Sequence, residues 1–224
     1  MHVLGDCMVE TAEIRKALDR DIFDYQQLTA CLSHLSKPRD KISKLLNKGD
    51  IVRIRKGLYI FGPSYRRGPL SRELLANLIH GPSYISLEYA LSYHGLIPER
   101  VSTVTSVALG RSREFETPVG AFTYRSLSLP RYAIGADLVE SPAGSFLIAS
   151  AGKALADKVW ADKRFSGTSL SDFRPYLEED LRVDFAQLAC LDPSRLERIQ
   201  QAYGSRKIRG LFRFLNSLRE ATSA

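Results

Sequence analysis

The apolar residues of the first fifty positions recur at helical spacing. They predict one helix over about residues 10–19, a second with Asp24 as its N-cap, and a third with Pro38 in its first turn and its end near Gly49. The buried face of the third helix is formed by three residues at positions i, i+3 and i+4: Ile42, Leu45 and Leu46. The chain therefore opens with three short helices.

Residues 51–61 change to an alternation of apolar and charged side chains. The apolar positions are Val52, Ile54 and Leu58, and the charged positions are Arg53, Arg55 and Lys56. With Gly57 in the turn, this pattern predicts a tight β-hairpin that packs by one side and exposes its cations on the other. A helix followed by a basic hairpin is the layout of a winged helix-turn-helix, which indicates DNA binding.

The remainder of the chain mixes helical and strand patterns. A Gly- and Pro-rich basic connector at residues 62–69 marks a domain boundary. Beyond it we predict helices at residues 71–79, 87–94 and 151–160, strands at 101–109, 121–126 and 146–150, and a polar turn region at 111–120. Four more helices are predicted at about residues 170–177, 185–190, 193–203 and 207–218.

These elements indicate an α+β protein in three parts. The parts are a winged helix-turn-helix domain at residues 1–66, a mixed α/β domain at residues 67–165, and a helical C-terminal region at residues 166–224 packed on the second domain. A length of 224 residues with 44% hydrophobic residues allows a sizeable core and argues against disorder.

Positive charge is concentrated around the predicted hairpin. The whole chain has a formal net charge of +7, yet residues 33–67 alone contain ten basic and two acidic residues, a local charge of +8. The rest of the chain is therefore close to neutral. A basic cluster on a helix and an adjacent hairpin favours a polyanionic partner, and double-stranded DNA fits this layout.

Ten residues of this segment are candidates for contact with DNA. The third helix supplies Arg39, Ser43 and Lys44 for base edges and Lys37 and Lys41 for phosphates. The hairpin supplies Arg53, Arg55 and Lys56 for the DNA backbone or the minor groove, and the connector supplies positive charge from Arg66 and Arg67. The alternative is a solvated helix face balanced by Asp40, beside a hairpin whose charges only keep its edge soluble.

Other residue classes argue against secretion, metal binding and catalysis. The three cysteines, Cys7, Cys31 and Cys190, are far apart, which suits reduced thiols in the cytoplasm. No signal-peptide pattern and no apolar stretch of membrane-spanning length is visible. The histidines and cysteines show no metal spacing, and Ser86 and His94 lie more than two turns apart on one predicted helix, too far for a nucleophile and base. We therefore expect a cytoplasmic protein that is not an enzyme and has no metal or cofactor.

A second basic cluster lies near the C terminus. Its members are Arg195, Arg198, Arg206, Lys207, Arg209, Arg213 and Arg219. This cluster could extend the DNA surface, could face an acidic partner or RNA, or could be the polar side of an ordinary amphipathic helix.

Three motifs between residue 10 and about residue 160 resemble the AbiEi antitoxin and transcriptional-regulator family. They are Arg55-Lys56-Gly57-Leu58-Tyr59, the Ser-Leu-x-x-Ala-Leu-x-x-His-Gly-Leu segment from Ser86 to Leu96, and Ala151-Gly152-Lys153-Ala154-Leu155-Ala156-Asp157. The resemblance implies an antitoxin of a type IV toxin–antitoxin (abortive infection) system that binds repeats in its own promoter. It also implies a nucleotidyltransferase-like toxin as partner and a role in antitoxin function for Lys153 and Asp157. By themselves, these two residues indicate an i,i+4 ion pair that supports the structure.

The resulting hypothesis is a transcriptional repressor that acts on DNA as a monomer or dimer and counteracts a toxin. Two alternatives stay open. One is an antitoxin or interaction module that acts by direct protein contact, and the other is a solitary winged-helix regulator without a toxin.

Overall fold

The N-terminal part of the protein is a small helical unit on a three-stranded sheet. The structure, a computed structural model, describes residues 11–223. The elements of this part are α1 (residues 11–17), β1 (Ile22–Asp24), α2 (Tyr25–Cys31), α3 (Pro38–Lys48), β2 (Ile51–Arg55) and β3 (Leu58–Phe61). The strands are antiparallel in the order β1-β3-β2. The three predicted helices and the hairpin are therefore confirmed, while residue 10 lies outside the described residues.

Local signals in the sequence explain where α2 and α3 begin and end. Asp24 accepts a hydrogen bond from the Gln27 backbone N–H at 2.8 Å, and the Gln27 side chain accepts one from the Asp24 backbone N–H at 2.9 Å. Pro38 stands in the first turn of α3, and Gly49 ends the helix with a φ of +73°.

The small sheet is covered on both faces. Phe23, Tyr59 and Phe61 pack against the helices in a small core, whose other main members are Ile14, Leu18, Leu28, Leu32, Ile42, Leu45 and Ile51. The alternate residues of the same strands, Ile22, Ile54, Leu58 and Ile60, belong to a larger core that they share with the rest of the chain. The hairpin was predicted to pack by one side, and this is wrong because both of its faces contribute side chains to a core, while Arg53 and Arg55 stay exposed.

A six-stranded mixed sheet forms the centre of the protein. Its strands and neighbouring helices are α4 (Arg72–Ile79), β4 (Ser83–Ile85), α5 (Leu87–Tyr93), β5 (Val104–Ala108), β6 (Arg113–Thr117), β7 (Gly120–Ser126), α6 (Leu129–Tyr132), β8 (Ala136–Val139), β9 (Phe146–Ala149) and α7 (Ala151–Ala161). The strand order is β6-β7-β5-β4-β9-β8, with β4/β9 and β5/β7 parallel and the other pairs antiparallel. The polar region at residues 111–120 was predicted as a turn, and this is wrong because it contains strand β6.

The two faces of this sheet carry different helices. Tyr124 points to the α4 side, where its hydroxyl donates a hydrogen bond to the Ala76 carbonyl at 2.6 Å. Tyr84 points to the opposite side, where its hydroxyl donates to Asp157 of α7 at 3.1 Å. Because side chains alternate along a strand, the neighbours of Tyr124, Thr123 and Arg125, lie on the α7 side.

The C-terminal helices complete the larger core. They are α8 (Leu170–Pro175), continued by a π-helical turn (Tyr176–Asp180), then α9 (Phe185–Ala189), α10 (Pro193–Tyr203) and α11 (Arg206–Ser223). Phe173, Leu196 and Leu211 from these helices are buried in the same core as the six-stranded sheet. The α+β class is confirmed, whereas the division at residues 66 and 67 stays a prediction. No helix in the described part of the chain is long and apolar enough to cross a membrane.

Candidate nucleic-acid interface

Helix α3 presents a basic side to solvent. Ile42 and Leu45 are buried, and this leaves Arg39, Ser43 and Lys44 exposed. The Ser43 hydroxyl donates a hydrogen bond to the Arg39 carbonyl at 3.1 Å, so the helix backbone uses its proton and its oxygen remains an acceptor. Of the predicted phosphate contacts on this helix, Lys37 is exposed and Lys41 is half-buried.

The three cations of the hairpin do not form one row. Arg53 lies opposite Tyr59 and Arg55 lies opposite Leu58, with an irregularity in register between the two arginines. Residues paired across antiparallel strands project to the same side. Arg53 therefore lies on the side of α2 and α3, while Arg55 lies on the side of the six-stranded sheet. Lys56 is exposed in the turn.

Arg55 also contacts the second part of the chain directly. Its guanidinium donates hydrogen bonds to the Leu78 carbonyl at the end of α4 and to the Lys56 carbonyl, both at 3.4 Å. These bonds are long and the side chain is exposed, so part of its charge remains accessible. Arg55 therefore lies where the hairpin meets the central sheet.

One of the two connector arginines, Arg67, is bound to the N-terminal unit. The Arg67 backbone N–H donates to the Asp21 carboxylate at 3.1 and 3.2 Å, and its guanidinium donates to the carbonyls of Asp19 and Arg15, both at 3.2 Å. Arg66 is half-buried. These two residues are therefore less available to phosphate than the cations of α3.

We expect the substitution Arg67→Ala to lower the free energy of unfolding by about 1 kcal/mol. The reason is that two backbone carbonyls lose a charged hydrogen-bond donor. Urea denaturation followed by circular dichroism measures the change. Arg53→Ala is the matched control, since Arg53 is exposed like Arg67 but its side chain makes no hydrogen bond within residues 11–223. An equal loss in both variants would contradict a structural role for Arg67.

Lys153 and Asp157 form the centre of a buried polar network. The two residues are 0% and 1% exposed, and the Lys153 ammonium donates hydrogen bonds to Asp157 Oδ1 at 2.6 Å and to the Tyr203 hydroxyl at 2.7 Å. Asp157 Oδ2 accepts from the hydroxyls of Ser86 at 2.6 Å and Tyr84 at 3.1 Å, and Tyr203 also donates to Oδ1. The network joins β4, the start of α5, α7 and α10.

Burial governs the protonation of this network. Removal from water lowers the pKa of Lys153, and the neighbouring Asp157 carboxylate opposes that effect. Burial, reinforced by the charge of Asp157, raises the pKa of Tyr84 and Tyr203 well above the ordinary value. Both tyrosines therefore stay protonated hydrogen-bond donors.

The sequence predicted only the Lys153–Asp157 pair and missed its three hydroxyl partners. Ser86 was named as the start of a family motif and as a rejected nucleophile, and the structure buries it completely against Asp157. Tyr203 follows Asp157 by 46 positions, so no local spacing could have indicated it. His94 does not contact Ser86 and instead places Nε2 at 2.7 Å from the Ala149 carbonyl.

Four of the seven cations in the C-terminal cluster are bonded to other groups of the fold. Arg195 pairs with Asp137 at 2.6 Å, and Lys207 donates to the Asp162 carbonyl at 2.7 Å. The guanidiniums of Arg213 and Arg219 likewise donate to backbone carbonyls. The members that remain exposed without such a bond are Arg198, Arg206 and Arg209.

Comparison with known proteins adds no further assignment. The chain matches no protein-family model and no curated protein. Among residues 11–223, no group of three or more His, Cys, Asp or Glu side chains is arranged to hold a metal ion. Cys31 and Cys190 are free thiols, and Cys7 lies outside the described residues. The function is therefore argued from the geometry of the side chains.

Proposed function

We propose that this protein is a transcriptional repressor that binds double-stranded DNA through its N-terminal part. The observation that carries the proposal is the exposed basic side of α3 next to a short basic hairpin. In this proposal α2 and α3 are the helix-turn-helix and the β2–β3 hairpin is the wing. Repression follows from occupation of a promoter, so no chemistry is needed.

The third helix is the proposed reader of DNA sequence. Its 11 residues span about 16 Å, long enough to lie in a major groove. Arg39 and Lys44 suit guanine edges because their donors match the O6 and N7 acceptors, and Ser43 can accept from a base amino group. The proposed phosphate contacts here are Lys37, which directly precedes the helix, and Lys41 on the helix itself.

The wing carries positive charge on two of its sides. Arg53 and Lys56 are the proposed phosphate contacts beside α3, since Arg53 shares the side of the helices. Arg55 is held toward the central sheet, so its proposed contact is with DNA that passes the junction of the two parts. Arg66 and Arg67 contribute mainly positive electrostatic potential near the proposed DNA surface.

The antitoxin role rests on the resemblance to the AbiEi family. In this role, the region around the six-stranded sheet counteracts a nucleotidyltransferase-like toxin in the cytoplasm. Lys153 and Asp157 support that role from inside the fold, because they are fully buried and cannot touch a partner directly.

Salt dependence is the first test of the proposal. If the chain makes 6–10 phosphate contacts, its affinity for its own upstream DNA should fall by about 10³–10⁵ between 50 and 200 mM salt. Fluorescence anisotropy over a salt series measures the slope. A slope near zero would contradict a phosphate-binding surface.

A gel shift and a pull-down separate this proposal from a module that acts by protein contact. A repressor binds the DNA upstream of its own gene at moderate salt with sequence preference over random DNA. A contact module fails to bind that DNA while it co-purifies with the product of a neighbouring gene. A solitary regulator binds the DNA and has no such partner.

A further inference from the structure

A concave surface lies on the α7 side of the six-stranded sheet, apart from α3 and the hairpin. The cleft has a volume of about 870 Å³. Strands β5 and β7 form its floor, where Thr105 and Thr123 are neighbours in the parallel register. The last turn of α7 and residues 162–164 form a wall. This volume is within the range of small-molecule sites.

The acidic groups of this cleft are all bonded to neighbouring groups of the fold. Asp157 is bonded to Lys153, and Glu88 is bonded to Lys158 at 2.6 Å. Asp162 has an 8% exposed side chain and accepts hydrogen bonds from the Arg164 backbone N–H at 3.0 Å and from Tyr176. Lys153, Lys158 and Arg164 therefore lie beside these three carboxylates, and Arg125 and Lys163 are the cations of the cleft without an acidic partner among the described residues.

Three cations of the cleft remain directed to solvent. Arg125 and Lys163 are exposed, and neither has an ion-pair partner in the part of the chain that the structure describes. Arg164 is 91% exposed and reaches Asp162 only at 3.6 Å. Arg125 rises from the floor and the other two stand on the wall, so the three groups surround the same space.

Aromatic surface and a strained residue lie in the same cleft. Trp160 contributes to the wall, and one face of its ring is covered by the Arg131 guanidinium, which lies 3.9 Å from the ring centroid and outside the cleft lining. Leu87 also lines the cleft and has a φ of +59°, a conformation that costs a leucine free energy and that clusters at binding sites. A planar ring with adjacent cations is the surface that nucleic-acid bases and phosphates favour.

We propose that this cleft binds a nucleotide through its phosphates. Arg125, Lys163 and Arg164 hold the phosphate oxygens, since guanidinium and ammonium groups form strong charge-assisted hydrogen bonds with phosphate. The hydroxyl of Thr123 adds a donor on the floor, and Trp160 lies against the base. This site is separate from the proposed duplex surface and does not depend on it.

The protein provides its own probe for this site. Trp160 is the only tryptophan of the chain and lies in the cleft wall, so its emission reports binding there. We expect ATP and inorganic pyrophosphate to change this emission with saturation, and adenosine to have no effect at the same concentrations. Isothermal calorimetry gives the affinities independently of fluorescence.

Charge reversals locate the site. Arg125→Glu and the double variant Lys163→Glu/Arg164→Glu should each weaken ATP and pyrophosphate binding by about tenfold or more. Arg113→Glu is the matched control and should leave the affinity unchanged. Arg113 is also exposed, but it pairs with Tyr124 and so lies on the opposite face of the same sheet.

The results can overturn the proposal in two ways. Absence of any emission change and any heat with millimolar ATP or pyrophosphate would exclude a phosphate site in the cleft. Equal weakening by Arg125→Glu and Arg113→Glu would show only general attraction to a basic protein. The same phosphate chemistry is found in a free nucleotide and in a single-stranded nucleic acid, and a short single-stranded RNA distinguishes the two. If the RNA binds more tightly than ATP, and Arg125→Glu weakens both equally, the ligand of the cleft is a strand rather than a free nucleotide.

Discussion

The variant Asp157→Asn should lose about 3–5 kcal/mol of the free energy of unfolding. The substitution leaves the Lys153 ammonium buried without its carboxylate, and an unpaired buried charge carries a cost of this size. Since whole domains are stable by only about 5–15 kcal/mol, much of the stability would be lost. Chemical denaturation followed by circular dichroism measures the change.

Glu88→Gln is a matched control for this variant. Glu88 also accepts from a lysine of α7, Lys158, at 2.6 Å, but its side chain is 39% exposed. A pair that water reaches contributes about 1 kcal/mol or less. If both variants lost the same free energy, burial would not be what makes the Lys153–Asp157 pair important.

The pH dependence of Asp157→Asn follows from the pKa of Lys153. Burial lowers that pKa in the folded chain, and loss of the opposing Asp157 carboxylate lowers it further. The unfolded chain then binds more protons than the folded chain below the ordinary lysine value of about 10.4, so stability rises with pH. We expect the variant to regain stability as the pH rises from the lowered pKa of Lys153 toward the ordinary value of about 10.4, to a greater extent than the unsubstituted protein. A loss of stability over this range would contradict the assignment.

The double variant Arg39→Glu/Lys44→Glu should weaken binding to the upstream DNA by at least about 100-fold. Both side chains are exposed on α3, and each base or phosphate contact of this type contributes about 1–3 kcal/mol. The reversal also places two negative charges against the phosphates. Anisotropy titrations should show a smaller dependence on salt as well, since fewer counterions are released.

The control for this experiment is Arg100→Glu/Arg174→Glu. Both arginines are exposed, and the control changes the net charge by the same amount outside the basic stretch, the C-terminal cluster and the cleft. Retention of DNA binding by the control and loss in the α3 variant would locate the interface. Equal weakening in both would mean that total charge, and not α3, accounts for affinity. Neither variant should unfold, because none of the four side chains is buried and the ion pair that the control loses, Arg174–Glu178 at 3.9 Å, is exposed to water.

Elements with local end signals were predicted with nearly correct bounds. Helix α10 runs from Pro193 to Tyr203 as predicted, since Asp192 caps it and Gly204 ends it with a φ of +58°. Strands β6 and β8 were missed because they are the edge strands of the sheet, where few side chains are buried. In β6 the only apolar side chain is Phe115, and one apolar residue does not make a recognisable alternation.

The amino-acid sequence by itself determined the α+β fold class, the positions of the basic residues and most helix bounds, because each of these depends on composition or on neighbours within a few positions. Only the tertiary structure decided which cations are available. It turned Arg55 toward the central sheet and bound Arg67 to backbone carbonyls. It also brought Tyr203 to Asp157 and assembled Arg125 and Lys163 around one cleft. Such juxtapositions depend on how strands and helices pack over long separations, and the local spacing of residues carries no information about that.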